Sequence, residues 1–76
     1  MPDAFVLFKT EPACERDVYL SLTEMDSVQE LHALYGKFDI LARITAPDSN
    51  SLTLLLMNDI RQIGGVKDTQ TLIAVD

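Results

Sequence analysis

The sequence predicts an α+β fold in which four antiparallel strands form one sheet and two helices cover one of its faces. Three observations point there. Two apolar, strand-like runs stand at the ends of the chain. Two stretches with helical apolar spacing lie between them, each preceded by a proline. Between those helices are two further strand-like stretches joined at a glycine. With 76 residues, the chain makes a single domain over 1–76. A chain of this size buries about 60–65% of its unfolded surface, so a single core gives marginal stability.

The first strand is Ala4-Phe5-Val6-Leu7-Phe8-Lys9-Thr10, apolar on both faces. Glu11-Pro12 ends it, because proline offers no ladder donor and restrains the residue before it. Glu15 and Asp17 then favour a helix start, and Val18, Leu22 and Met25 recur at helical spacing, which predicts a helix over 14–25. Asp26-Ser27 breaks that pattern. Residues 28–35 and 38–46 read as two strands joined at Gly36-Lys37. A two-residue loop pairs Tyr35 with Phe38, Ala33 with Ile40, Leu31 with Ala42 and Glu30 with Arg43; a four-residue loop on the same centre keeps that register. One face then carries Leu31, Ala33, Tyr35, Phe38, Ile40 and Ala42, and the other Glu30, His32, Leu41 and Arg43.

Pro47-Asp48-Ser49 starts the second helix, predicted over 49–62 with a core stripe of Leu52, Leu55, Leu56, Ile60 and Ile63. Leu54 and Met57 lie off that stripe. Gly64-Gly65 stops the helix, and residues 69–75 form the last strand. The order strand, helix, strand, strand, helix, strand is the ferredoxin-like βαββαβ arrangement. Its second sheet face is bare, yet Phe5-Val6-Leu7-Phe8 and Leu72-Ile73-Ala74-Val75 are apolar on both sides. A large apolar surface marks an interface. A dimer packed sheet against sheet, a dimeric α/β sandwich, is therefore expected, with Leu54 and Met57 available for further assembly.

Composition excludes several functions. The formal net charge is −6, and the bases Lys9, Arg16, Lys37, Arg43, Arg61 and Lys67 stand singly, so no patch exists to bind phosphate backbones. A single cysteine, Cys14, excludes an internal disulfide and suits a reducing cytoplasm. No apolar run approaches the ~18 residues of a membrane span. His32 has no metal-ligand neighbours in sequence and reads as a structural or interface residue. Glu11 and Glu15 oppose ionisation of Cys14. Glu11, Glu15, Asp17, Glu24 and Asp26 form a solvated face, not a catalytic pair. Asp59 and Arg61 read as surface or inter-dimer contacts, Thr69 and Thr71 as strand formers or a polar cleft rim. No catalytic residue, metal or cofactor is expected.

What remains is turn chemistry. Tyr35-Gly36-Lys37-Phe38-Asp39 and Gly64-Gly65-Val66-Lys67-Asp68 place a glycine near an acid on a sheet. Such a turn presents backbone N–H groups and a carboxylate to a small zwitterion. These segments, with the opening Ala4-Phe5-Val6-Leu7 and Lys9-Thr10-Glu11-Pro12, with Tyr35 through Leu41, and with Ile60-Arg61-Gln62-Ile63 before Gly65 to Thr69 and Thr71, resemble the ligand-binding (RAM) domain of the Lrp/AsnC family. The resemblance implies sheet-packed dimers, rings of dimers that are often octamers, and amino acids or related effectors bound in clefts between dimers. It makes Gly36 and Asp39 the foremost effector contacts, with Tyr35, Lys37, Phe38 and Ile40 around them. Gly36 would allow close backbone approach to a carboxylate, and Asp39 would receive an ammonium group. Full-length members carry an N-terminal helix-turn-helix domain, whereas this sequence begins at the first strand; the expectation is a stand-alone RAM domain, not an enzyme, regulating through an effector or through full-length relatives. The alternative from a different class is a small cofactor-free monooxygenase or isomerase on a dimeric ferredoxin-like scaffold, and an amino-acid-binding ACT-like module shares the strand order.

Overall fold

Alternation along the first strand sets the architecture. In the computed structural model, which describes residues 3–74, β1 (Asp3–Thr10) buries Ala4, Val6, Phe8 and Thr10 and turns Phe5, Leu7 and Lys9 the other way. It is a central strand of a four-stranded sheet, flanked by β3 (Ile40–Thr45) and β4 (Val66–Ile73), with β2 (Val28–Ala33) outside β3. All three pairings are antiparallel, in the order β2-β3-β1-β4. Helix α1 (Glu15–Thr23) contributes Val18 and Leu22 to the core; α2 (Ser49–Leu54) and a π-helical continuation (Leu55–Ile60) contribute Leu52, Leu56 and Ile60. These side chains form one cluster with Ala4, Val6, Phe8, Ile40, Ala42 and Ile44, so both helices cover the same sheet face. The ferredoxin-like expectation holds.

The hairpin register is the expected one: Glu30 opposite Arg43, Leu31 opposite Ala42 and Ala33 opposite Ile40. The strands are shorter than expected. Tyr35 does not pair with Phe38; the Leu34 N–H donates to the Asp39 carbonyl at 2.8 Å and closes the four-residue form of the loop. The cause lies on β1, because the Asp39 N–H donates to the Phe8 carbonyl at 2.8 Å and draws that residue toward β1. Tyr35 is consequently fully exposed instead of lying on the apolar face.

Three other boundaries shift. Helix α1 ends at Thr23, where the Glu24 and Met25 N–H groups reach back only three residues, to Ser21 and Leu22. The second helix changes from α to π after Leu54. Its buried residues Leu52, Leu56 and Ile60 repeat every fourth position, which drifts about 40° per step on a 3.6-residue turn; the wider π turns take up that drift. Strand β4 starts at Val66, three residues early, because a register irregularity between Lys9 and Thr10 lets Val66 pair with Thr10. Of the expected last strand, Val75 lies outside the described residues.

The opposite sheet face is bare. Glu30, Arg43, Phe5 and Leu72 form one cross-strand row, and His32, Leu41, Leu7 and Gln70 the next. Phe5 is 36% exposed and Leu72 50%, so an apolar centre meets solvent beside a charged edge.

Candidate functional site

Asp39 stands where the loop after β2 crosses the end of β1. Its Oδ2 accepts from the Thr10 N–H at 3.0 Å and from the Thr10 hydroxyl at 3.1 Å, and Lys9 Nζ lies 4.0 Å away. The Thr10 backbone bond is the main reason the carboxyl titrates below its usual range; the Thr10 hydroxyl and Lys9 act in the same direction, and partial burial opposes them. Both hydrogen bonds fall on one oxygen, and Oδ1 has no hydrogen-bond partner among the described residues. The carboxylate is thus held ionised and oriented, with one oxygen unengaged.

Two neighbours of Asp39 explain the loop. Gly36 has φ +133°, a conformation that favours glycine, with open space where a Cβ would stand. Lys37 Nζ sits 5.9 Å from the centre of the Phe38 ring, a cation–π contact across the loop tip.

Asp39 also forms part of the wall of a groove of about 490 Å³ between α1 and the β2–β3 end of the sheet. Ile40 and Ala33 line its sheet side, and Glu15, Arg16, Tyr19 and Leu20 its helix side. The groove is shallow and open to solvent, its surface largely apolar with a few charged groups at the walls. Of the six residues expected at the site, Asp39 and Ile40 meet there. Ile40 is 1% exposed and anchors the core more than it faces the groove. Tyr35, Gly36, Lys37 and Phe38 do not line it; they project as the loop tip. The sequence reading left out Thr10, Arg16, Tyr19, Leu20 and Ala33. Leu20, off the Val18–Leu22 stripe, was the available signal; the Thr10–Asp39 bond spans 29 positions and had none.

Elsewhere, Arg43 donates to Glu30 at 2.8 Å and to Asp3 at 3.4 Å, and His32 Nε2 lies 3.4 Å from Glu30. Arg43 is the chief reason Glu30 titrates below its usual range. Thr69 borders a polar hollow with Arg61 and Asp68, and Thr71 a groove with Met57 and Ile73. Cys14 is half-buried behind Gly65. The described residues contain no cluster of three or more metal-ligating side chains, and none of their helices is long and apolar enough to cross a membrane.

Comparison with known proteins supplies the context for this geometry. A profile of the "Lrp/AsnC ligand binding domain" matches residues 3–76. An uncharacterised HTH-type transcriptional regulator of Pyrococcus abyssi is 26% identical over 96% of this chain, and the leucine-responsive regulatory protein of Escherichia coli K12 is 28% identical over 99%. The chain spans 51% and 40% of their respective lengths, about half or less. Among solved structures, FFRP-DM1 superposes with a TM-score of 0.95 at 29% identity, covering 99% of this chain and 100% of that one. A hypothetical protein, PHS023 of Pyrococcus horikoshii, gives 0.93 at 29% identity, covering 100% and 92%. The transcriptional regulator NMB0573 of Neisseria meningitidis, solved as its L-Met complex, shares the fold at 0.86 and 22% identity, covering 99% of this chain and 50% of that one.

Proposed function

The chain belongs to the Lrp/AsnC ligand-binding domain family, and from that membership we propose a regulatory module that binds an amino-acid effector and works as an oligomer. Relatives named as transcriptional regulators support a regulatory, effector-binding role and argue for binding over catalysis. The observation that carries the amino-acid reading is the oriented Asp39 carboxylate, with Oδ1 unengaged, on the wall of a groove that also holds Arg16. Asp39 faces Arg16 and Glu15 across the groove, so both signs of charge carried by an α-amino acid find a counterpart there. That a fold neighbour was solved with L-Met agrees with this chemistry.

In this reading Asp39 receives the ammonium group, and the Gly36 backbone permits close approach. Tyr35, Lys37 and Phe38, projecting at the loop tip, meet a neighbouring dimer, and Ile40 supports the floor. The bare sheet face, with Phe5, Leu7, Leu41 and Leu72, supports a dimer packed face to face, and the exposed Leu54 and Met57 support association of dimers into a ring such as an octamer. With its bases dispersed, this domain makes no phosphate-backbone contacts of its own in this reading. A reducing cytoplasm is the compartment proposed for it.

A thermal-shift screen against the twenty amino acids, read with native mass spectrometry, tests the proposal. A ligand at 100 times its Kd adds about 2.7 kcal/mol to the folded state. At least one amino acid should raise Tm, and Asp39→Asn should abolish that response while leaving the fold intact. Silence across the panel would overturn the effector reading.

A further inference from the structure

Resting on the reading that the bare sheet faces of two copies pack together, we propose that His32 makes this dimer proton-linked. Paired with Glu30, it takes up a proton as the faces close, so the subunits associate more tightly in mild acid than above neutrality. The arrangement of charges on the face carries this. Glu30 accepts from Arg43 Nε through Oε2 at 2.8 Å, and its Oε1 lies 3.4 Å from His32 Nε2. Arg43 also donates to Asp3 at 3.4 Å. One guanidinium thus serves two carboxylates, and the imidazole stands at the Glu30 oxygen that Arg43 leaves over. The His32 and Glu30 side chains are 57% and 49% exposed in the single subunit, so a second copy on this face takes water from both.

The rest of the face does not supply the missing positive charge. Lys9 of β1 and Asp68 of β4 stand opposite each other and balance, and Lys9 also lies 4.0 Å from Asp39 at the sheet corner. Lys67, at the irregular start of β4, borders the hollow beside Arg61. Both helices lie on the other side of the sheet. At the charged edge, Asp3 and Glu30 are therefore set against Arg43 alone. Each copy brings one uncompensated negative charge to the interface, and removing it from water costs free energy. A proton on His32 cancels that charge next to the carboxylate. Phe5, Leu7, Leu41 and Leu72 supply the attraction, and an edge of mixed sign suits a second copy turned about a two-fold axis. The gain is present in acid and is lost as pH rises past the range, about pH 6.5, where an imidazole releases its proton. His32 is the only histidine, so no other side chain has its ordinary titration range there.

Sedimentation across a dilution series, at about pH 5.5 and about pH 7.5 and constant ionic strength, reads the effect. The wild-type dimer should have about a tenfold larger Kd at the upper pH, the result of two protons each held about threefold more tightly in the dimer. His32→Gln should flatten this response, and His32→Lys, a fixed cation, should keep the dimer tight at both values. Glu30→Gln keeps the imidazole but removes its carboxylate, so it should flatten the response as well. Both positions are exposed, and circular dichroism confirms that the variants are folded. Where the dimer does not dissociate on dilution, urea unfolding of the same proteins makes the same comparison. A full pH response in Glu30→Gln would overturn the inference, because overall net charge would then govern association. So would a wild-type Kd that is equal at the two values or smaller at the upper one, outcomes that leave the dimer standing. A wild type that stays monomeric under both conditions would bring down the dimer and the inference together.

Discussion

Two glycines in the turns near the C-terminal end of β1 differ in what holds them. Gly65 has φ +94°, and a Cβ there would lie 3.0 Å from Cys14 Cβ and 3.1 Å from Val18 Cγ2. Its carbonyl also accepts the Glu11 N–H at 2.8 Å, so the backbone is not free to relax. Gly65→Ala should therefore cost about 1–3 kcal/mol from strain alone, with crowding added, measurable by urea denaturation. Gly36→Ala meets no neighbour and bears only the strain of its φ, so it should cost less than Gly65→Ala. Asp39 adds a pH dependence. Its folded-state titration is depressed by the Thr10 bonds, so its contribution to stability is present above the ordinary carboxylate range and is lost as pH falls through the lower folded value. Thermal melts between neutral pH and acid should show Asp39→Asn losing less stability than the wild type in that window; identical profiles would mean the Thr10 bonds contribute nothing.

At the scale of elements, the second helix separates core from surface within a few positions. Ile60 is 1% exposed, and Met57, three residues earlier, is 55% exposed. Ile60→Ala should cost about 2–5 kcal/mol by leaving a cavity. Met57→Ala should leave the subunit's stability nearly unchanged while weakening any dimer–dimer association, which native mass spectrometry separates from unfolding. The apolar stripe of this helix was legible because Leu52, Leu56 and Ile60 all face one way. Its change to π geometry was not, since a repeat every fourth residue can be met by drift, bending or wider turns. The β2–β3 hairpin shows a similar division. Alternation determined its register, down to Glu30 opposite Arg43. The loop's form depended on β1, because the Phe8 carbonyl and Thr10 hold Asp39.

For the whole molecule, the bare sheet face is the dominant unpaired surface. Phe5→Glu would place a carboxylate in the row of Arg43 and Leu72, at the centre of the proposed dimer. Sedimentation should then show monomers where the wild type shows dimers or larger rings; an unchanged assembly would move the interface elsewhere. Because Phe5 is not a core residue, the monomer should remain folded.

Local pattern alone determined the element order, the hairpin register, the helix core stripes and the apolar surplus on the second sheet face. Each follows from period-2 or near-3.6 repetition, which needs no knowledge of distant residues. Tertiary structure alone decided the site. Arg16 and Leu20 from α1 and Asp39 from the loop before β3 line one groove, and Thr10 at the end of β1 holds Asp39 in place. No sequence period connects residues 29 positions apart; chain crossing does, and the free energy of core burial holds that crossing in place.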